Sequence, residues 1–292
     1  MRRTNFRRIS WIRRVAPYVL LTLWTVIALF PIYWVLVTSL KNPGDVITSP
    51  PKFFDFSPTL DNYRVVLGLA RYVGLGDIVR VDFIEYLKNS LIIIPLAVVL
   101  SLALGLPVAY VMARFRFKGR ENLYFFYISL YFMPPILILI PLYLVFIRLR
   151  LYDTYLGLIL ILQLVNLPLV VLIMRSFFED ISPEIEQSAL VDGRSRLGVF
   201  FKITLPLAMP SLMSTAFLCT IFSWNNFLFG VILSRTRTQP VTVGILAFKS
   251  YEAILWGQMA AASIITALPV LILAIFIQRY IVRGLTLGAV KG

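Results

Sequence analysis

Histidine is absent from this chain of 292 residues, and cysteine occurs only once, at Cys219. Without histidine, the chain lacks the commonest metal ligand and the side chain that ordinarily titrates near neutral pH. We therefore predict no metal site. A single cysteine excludes an intramolecular disulfide bond. The chain also has no P-loop pattern, GxxxxGK[ST], so we expect it to bind no cofactor and to hydrolyse no ATP itself.

Charged side chains are scarce as well. Asp, Glu, Lys and Arg make up 14% of the residues, whereas hydrophobic residues make up 59% and the mean hydropathy is +0.85. An average soluble domain has about 25% charged residues. The apolar residues form long continuous runs rather than the alternating segments of a membrane β-barrel. The composition therefore predicts an all-α membrane protein with several spans.

Six apolar segments reach the roughly 20 residues that a helix needs to cross a bilayer. They lie at residues 17–40, 87–113, 123–147, 155–174, 207–233 and 258–281. We predict a single transmembrane domain over residues 17–292, preceded by a cytoplasmic segment, 1–16. The first run is too long for the apolar part of a signal peptide and lacks a small-residue cleavage site, so we expect a retained anchor.

Basic residues outnumber acidic ones by 28 to 14, which gives a net charge of +14. They flank the apolar segments, as the positive-inside rule requires, so we expect a lipid bilayer as the partner and no nucleic acid. Six arginines before the first segment place the N-terminus in the cytoplasm: Arg2, Arg3, Arg7, Arg8, Arg13 and Arg14. Six spans return the chain to the same side. We therefore predict cytoplasmic termini, a cytoplasmic loop at 175–206, a cytoplasmic tail at 282–292 and an external loop at 41–86.

Residues 182–206 form a polar segment between two apolar runs. Ser182 can cap the start of a helix, and Gly193 can take the left-handed conformation that ends one. A second short helix is predicted at 195–205. Such a helix–turn–helix is typical of a docking surface for a water-soluble partner, but also of an interfacial connector without a partner.

No charged residue lies in the middle of a predicted span, which argues against a proton-coupled carrier or a cation channel. The polar side chains there are neutral and suit an uncharged polyhydroxy solute. Candidate residues for a solute pathway are Gln163, Asn166, Ser223, Trp224, Asn225 and Asn226. Alternatively, these side chains tie neighbouring helices together.

The polar segment resembles the EAA loop of permease subunits in ATP-binding-cassette (ABC) importers. Its glycine and its closing residues have the spacing of that motif: Gly193, Ile203, Leu205 and Pro206. The opening triplet aligns with residues 187–189 and lacks the glutamate of the motif, although Glu186 stands next to it. We therefore expect helix shape and apolar packing to matter more at this helix than a carboxylate contact.

Other stretches are similar to carbohydrate-importer permeases of the maltose-system type, in particular to their six-span member. They are residues 110–120, 140–143, 152–160, 224–228 and 278–292. Where that family usually has an acidic residue after the Trp224–Asn225 pair, this chain has Asn226.

The resemblance implies the type I ABC importer permease architecture in a bacterial or archaeal cell membrane. The implied partners are a second permease subunit, two ATPase subunits that carry ATP and Mg, and an extracytoplasmic solute-binding protein. The implied ATPase-coupling residues are Glu184, Glu186, Gln187, Ser188, Ala189, Asp192, Gly193, Ile203, Leu205 and Pro206. A further ATPase contact is implied for the tail at Gly288, Val290, Lys291 and Gly292.

The sequence thus favours a permease subunit that imports a sugar or oligosaccharide. A first alternative is the same architecture for another small solute, such as glycerol phosphate or a polyamine. A charged solute of this kind would require charged residues of the opposite sign in the pathway. A second alternative is a stand-alone secondary carrier driven by an ion gradient.

Overall fold

The computed structural model describes residues 3–70, 72–73, 78–79, 81–249 and 254–287. At 3–14, 72–73, 78–79 and 279–287 it describes the backbone only. The four residues predicted as a tail contact lie outside the described residues. The chain divides into two compact units, Met1–Val81 with Phe248–Ile265, and Asp82–Ala247 with Thr266–Gly292.

Nearly all of the described secondary structure is helical, which confirms the predicted class. The N-terminal part contains α1 (Arg3–Ser39), α2 (Pro43–Val46), α3 (Asp61–Val66) and an antiparallel hairpin of β1 (Tyr72–Val73) and β2 (Ile78–Val79). Then follow α4 (Phe83–Arg114), α5 (Arg120–Phe132), α6 (Pro135–Arg148), α7 (Tyr155–Asp180), α8 (Pro183–Val191) and α9 (Arg196–Val199). A π-helix (Phe200–Thr204) leads to α10 (Leu205–Leu207), α11 (Met209–Trp224), α12 (Leu228–Leu233), α13 (Val241–Leu246) and α14 (Trp256–Leu287).

Four helical segments among the described residues are long and apolar enough, by length and composition, to cross a membrane. They are Val15–Ser39, Phe83–Arg114, Tyr155–Asp180 and Trp256–Gln278. The number rises to six if two sharply bent helix pairs each count as one span. The third and fifth predicted spans, 123–147 and 207–233, are therefore not continuous helices.

Consecutive prolines break the third predicted span. α5 and α6 meet at an angle of 94°. Pro134 and Pro135 remove two backbone donors, and proline also disfavours the helical conformation in the residue before it. Met133 and Pro134 accordingly have extended ψ values of 124° and 120°.

The fifth predicted span is interrupted twice. The segment Arg196–Leu207 meets α11 at 77°, and Pro210 stands in the first turn of α11, where proline is tolerated but cannot continue a preceding helix. α11 then ends at Trp224, and α12 begins anew at Leu228. The Asn226 side chain accepts a hydrogen bond from the backbone N–H of Phe229 at 3.1 Å, which caps the start of α12.

Helices α4 and α7 form the centre of the second unit. Val170 on α7 is fully buried, and a side chain at Gly105 on α4 would collide with it. Further along this contact, Ala97 and Ile161 belong to a buried cluster that α6 and α12 complete with Leu139 and Phe229. The absence of a side chain at Gly105 therefore sets how closely the two helices approach.

We expect Gly105→Ala to destabilise the protein, because the added methyl group overpacks the α4–α7 contact at a cost of about 1–3 kcal/mol. Thermal unfolding of the purified protein in detergent should give a lower Tm. Gly44→Ala is the matched control, since Gly44 is also helical and has no atom within 4 Å of an added Cβ. Both substitutions gain helix propensity, so equal Tm values would contradict the proposed close contact.

Candidate functional site

The polar segment begins with the short helix that its sequence predicts. Ser182 caps α8 by accepting a hydrogen bond from the backbone N–H of Glu184 at 3.3 Å. α8 ends at Val191, and Gly193 follows with φ +82°. Glycine adopts this left-handed conformation at little energetic cost. The chain can therefore reverse its direction within two residues.

The second half of the segment differs from the single helix predicted at 195–205. Ser195 caps α9 by accepting from the N–H of Gly198 at 3.2 Å, but the helix widens into a π-turn over Phe200–Thr204 before α10. Single π-turns occur frequently at functional sites. Thr204 on this turn is fully buried, and its hydroxyl group donates to a Glu186 carboxylate oxygen at 2.8 Å.

Glu186 is the charged centre of the segment, and only 6% of it is exposed. Besides Thr204, it accepts hydrogen bonds from Arg114 Nε and from the Tyr110 hydroxyl, each at 3.0 Å. The same guanidinium donates through Nη2 to the carbonyl oxygen of Ile181 at 2.8 Å. The buried carboxylate thus joins α8 to α4 and to the π-turn, while Arg114 satisfies the backbone just beyond the end of α7.

Helix shape and apolar packing were expected to matter more at this helix than a carboxylate contact, but the structure shows a carboxylate contact as well. Gln187 and Ser188, which replace the motif's first two residues, are exposed, whereas Ala189 is buried. Glu186 supplies the contact from one position earlier, because that position of α8 faces α4. Ile185 on the same helix is exposed.

Apolar packing supports the ion pair as well. The rings of Tyr110, Phe178 and Phe200 lie 4.8–6.2 Å apart between centroids in tilted or edge-on arrangements. Phe178 and Phe200 are buried. Such aromatic pairs add about 0.5–1.5 kcal/mol beyond the area that they bury. The cluster holds the end of α7 and the π-turn against α4.

The segment and its immediate continuation also expose several large hydrophobic side chains. These side chains are Ile185, Val191, Leu197, Phe201 and Leu207, of which Val191 is 88% exposed. The predicted coupling residues Glu184, Gln187, Ser188, Asp192, Gly193 and Pro206 are exposed too, while Ile203 and Leu205 are half-buried. Apolar side chains on a rigid, otherwise polar surface are typical of an interaction site.

Polar side chains predicted for a solute pathway make hydrogen bonds between helices. The Gln163 amide donates to the carbonyl oxygens of Ala97 and Ile159 at 3.1 and 2.8 Å and accepts from the Ser101 hydroxyl at 2.6 Å. Asn166 and Ser223 form a buried pair at 2.9 Å that joins α7 to α11. Their place in a pathway stays a prediction, and their hydrogen-bonding groups serve to tie helices in this structure.

The remaining candidates cluster where α11 ends. Trp224 is buried, and its indole N–H has no partner among the described residues. Asn225 is exposed and donates to the carbonyl oxygen of Ile221 at 2.9 Å. Asn226 and Ser223 line a cavity of about 20 Å³. A space of this size holds one water molecule but no solute.

Asp153 organises a loop that the sequence did not single out. It precedes α7 at φ +55° and accepts hydrogen bonds from all four backbone N–H groups of residues 235–238, at 3.1–3.3 Å. The Thr238 hydroxyl donates as well, at 3.0 Å. Partial burial raises the pKa of Asp153, but the backbone and hydroxyl donors outweigh it and lower the pKa to about 2. The only sequence signal was an aspartate beside the helix-capping Thr154.

Comparison with known proteins gives a consistent result. Residues 105–287 match the model of a family described as "Binding-protein-dependent transport system inner membrane component". The chain is 36% identical over 290 residues to an inner membrane ABC transporter permease protein, YcjP, of Escherichia coli K12, covering 99% of both chains. It is 33% identical to the trehalose/maltose transport system permease protein MalG of Thermococcus litoralis, covering 96% of this chain and 98% of that one.

The fold also has a solved counterpart. A crystal structure of a bacterial ABC transporter involved in the import of the acidic polysaccharide alginate contains a chain that superposes with a TM-score of 0.73 at 25% identity. The match covers 94% of this chain and 98% of the other. The resemblance to ABC importer permeases is thereby confirmed. Among the described residues, no group of three or more His, Cys, Asp or Glu side chains could hold a metal ion.

Replacing Glu186 by glutamine removes the charge but keeps the shape of the side chain. It leaves the buried Arg114 guanidinium without a counter-ion, and breaking a buried pair in this way costs about 3–5 kcal/mol. We expect thermal unfolding in detergent to show a Tm lower by several degrees. Glu184→Gln is the matched control, because Glu184 lies on the same helix but is exposed. If both variants unfold at the wild-type temperature, the ion pair does not fix α8.

Asp153→Asn is expected to loosen the 235–238 loop. Because the carboxylate is partly exposed, solvent screening reduces its contribution, and we expect a loss of about 1 kcal/mol at neutral pH. The folded-state pKa lies below the usual value of 3.8, so this contribution is present above pH 4 and is lost as the pH falls towards 2. Unfolding of wild type and variant at pH 7, 5 and 3 measures it. If the difference in unfolding free energy between wild type and variant grew towards pH 3, this account would be contradicted.

Proposed function

The chain belongs to the family of binding-protein-dependent transport system inner membrane components, and we propose that it is the permease subunit of an ATP-driven sugar or oligosaccharide importer. The observation that carries this proposal is α8, which the buried Glu186–Arg114 pair holds while its outer face stays exposed. A trehalose/maltose permease among its relatives supports the class of solute.

In this proposal α8 is the coupling helix. Two ATPase subunits bind ATP and Mg, and the groove of one of them receives the exposed face of α8. Closure of the ATPase pair on ATP pushes the helix, and the ion pair transmits the movement to α4. Two opposite charges that share one hydrogen bond and make three more with their neighbours hold one geometry better than apolar packing alone, which is the property that a coupling element needs.

The remaining partners follow from the same proposal. A second permease subunit completes the pathway, and an extracytoplasmic binding protein delivers the solute. The chain lies in a bacterial or archaeal cell membrane with both termini in the cytoplasm, so that the 182–206 segment faces the ATPases and the 41–86 loop faces the binding protein. The tail beyond residue 287 makes a further ATPase contact.

The neutral side chains of the predicted spans favour an uncharged solute over glycerol phosphate or a polyamine. The related alginate importer carries an acidic polysaccharide, so the fold by itself does not set the charge of the solute. A stand-alone carrier driven by an ion gradient would leave the exposed apolar face of α8 without a role.

Val191→Lys tests the docking surface. Val191 is 88% exposed, so the substitution should leave the fold intact, and lysine suits the C-terminal end of a helix. A charge in an apolar interface should lower co-purification of the ATPase subunits and ATP-dependent uptake of radiolabelled maltose or trehalose at least tenfold. The matched control for ATPase co-purification is Leu69→Lys, whose side chain is 76% exposed in the 41–86 loop, on the side away from the ATPases in the proposed topology. Retained docking and uptake in Val191→Lys would refute the coupling role of α8.

A further inference from the structure

A cavity of about 180 Å³ lies within the unit formed by residues 1–81 and 248–265. Its walls come from the start of the 41–86 loop, from α3 and from the beginning of α14. The lining residues are Pro43, Val46, Ile47, Asn62, Ile254, Leu255, Trp256, Gly257 and Gln258. None of these is charged. The volume is below the roughly 300–1,000 Å³ of sites that enclose a drug-sized ligand, and it suits a single ring.

Gln258 gives this cavity an unsatisfied polar group. Only 4% of the residue is exposed, yet its side-chain amide has no hydrogen-bond partner among the described residues. Neither amide atom is among the fully enclosed polar atoms that lack a partner, so the amide borders the open space of the cavity. Gln163 shows the usual alternative, because it is also buried but both ends of its amide are hydrogen-bonded to protein atoms. The Gln258 amide therefore presents a free donor and a free acceptor to the cavity.

Asn62 is the other polar side chain of the lining that belongs to a helix. Its amide nitrogen donates to the carbonyl oxygens of Ser39 and Lys41 at 2.9 and 2.8 Å, so it is already engaged. The side chain packs so closely on Gly257 that any Cβ there would collide with it. This contact requires glycine beside Gln258 and keeps the wall in place.

The remaining lining combines an aromatic ring with aliphatic side chains. Trp256 is 46% exposed, which leaves part of its indole open. Val46, Ile47 and Leu255 line the cavity as well. A ligand that fits has an apolar face for the indole and hydroxyl groups at its edge for an amide that both donates and accepts. It is uncharged, because no lining residue can balance a charge.

We propose that this cavity is a binding subsite for one neutral sugar ring of the imported solute, with Trp256 stacked on the ring and Gln258 hydrogen-bonded to its hydroxyl groups. This inference rests on the proposed import function. It adds a place on this chain where the solute is held, on the extracytoplasmic side in the proposed topology. An acyl chain would leave the amide unpaired, so the amide favours a hydroxylated ligand over a lipid.

Substitutions separate a binding role from a structural one. In the importer reconstituted with its partner subunits, Gln258→Met should raise the KM for maltose or trehalose uptake about three- to tenfold, the worth of one hydrogen bond. Trp256→Ala should raise it further, and Trp256→Phe should restore part of the loss. The Tm of Gln258→Met should equal or exceed that of wild type, because an unpaired amide is removed. Gln163→Met, the matched control, should instead lower the Tm.

Cysteine protection identifies the occupant. Cys219 is the only cysteine of the chain and is fully buried, so Ile47→Cys provides one accessible thiol at the cavity. Maltose or trehalose should slow its reaction with a maleimide reagent in the assembled importer, and Gln258→Met should weaken that protection. Protection by the sugar-free binding protein alone would assign the cavity to a protein contact and overturn the proposal, and so would no protection at all.

Different results would contradict the proposed import function and the proposed subsite. If the wild-type importer takes up neither maltose, trehalose nor any other sugar, the proposed function is wrong. If it takes up sugar while Gln258→Met and Trp256→Ala keep the wild-type KM, only the subsite is wrong.

Discussion

The buried Glu186 carboxylate is the point at which three parts of the second unit are fastened together. Its partners come from α4 and from the π-turn, and Arg114 extends the network to the backbone just after α7. A buried ion pair adds little stability over apolar packing, but it requires each donor to meet its acceptor in one arrangement. The exposed face of α8 is therefore held by groups beneath it, and no partner is needed to give it its shape.

Asp153 and Gln258 differ in how many of their hydrogen-bonding groups have partners within the protein. Asp153 accepts hydrogen bonds from four backbone N–H groups, and these bonds fix the 235–238 loop. Gln258 is buried, whereas Asp153 is partly exposed, and the Gln258 amide has no hydrogen-bond partner among the described residues. The hydrogen bonds of Asp153 hold the structure, whereas the free amide of Gln258 supports the proposed binding subsite.

Proline shapes the apolar segments as strongly as hydrophobicity does. Pro134 and Pro135 turn the third predicted span through 94°, and a second bend of 77° precedes α11. The apolar composition of both regions was predicted correctly. Hydropathy is an average over a window of residues, so it does not show where proline removes a backbone hydrogen-bond donor. The same prolines were visible in the sequence. Whether proline kinks a helix slightly or divides it depends on the neighbours that pack around it.

The membrane class, the cap at Ser182 and the turn at Gly193 could be predicted from the sequence alone. These depend on composition and on residues a few positions apart, so a local pattern contains them. Only the tertiary structure decided that Arg114 meets Glu186, 72 positions away, that Asp153 holds a loop more than 80 positions away, and that Gln258 faces a cavity. Such contacts depend on which faces of distant helices pack together. One sequence does not contain that information in any local pattern, because many pairings satisfy the same polar groups.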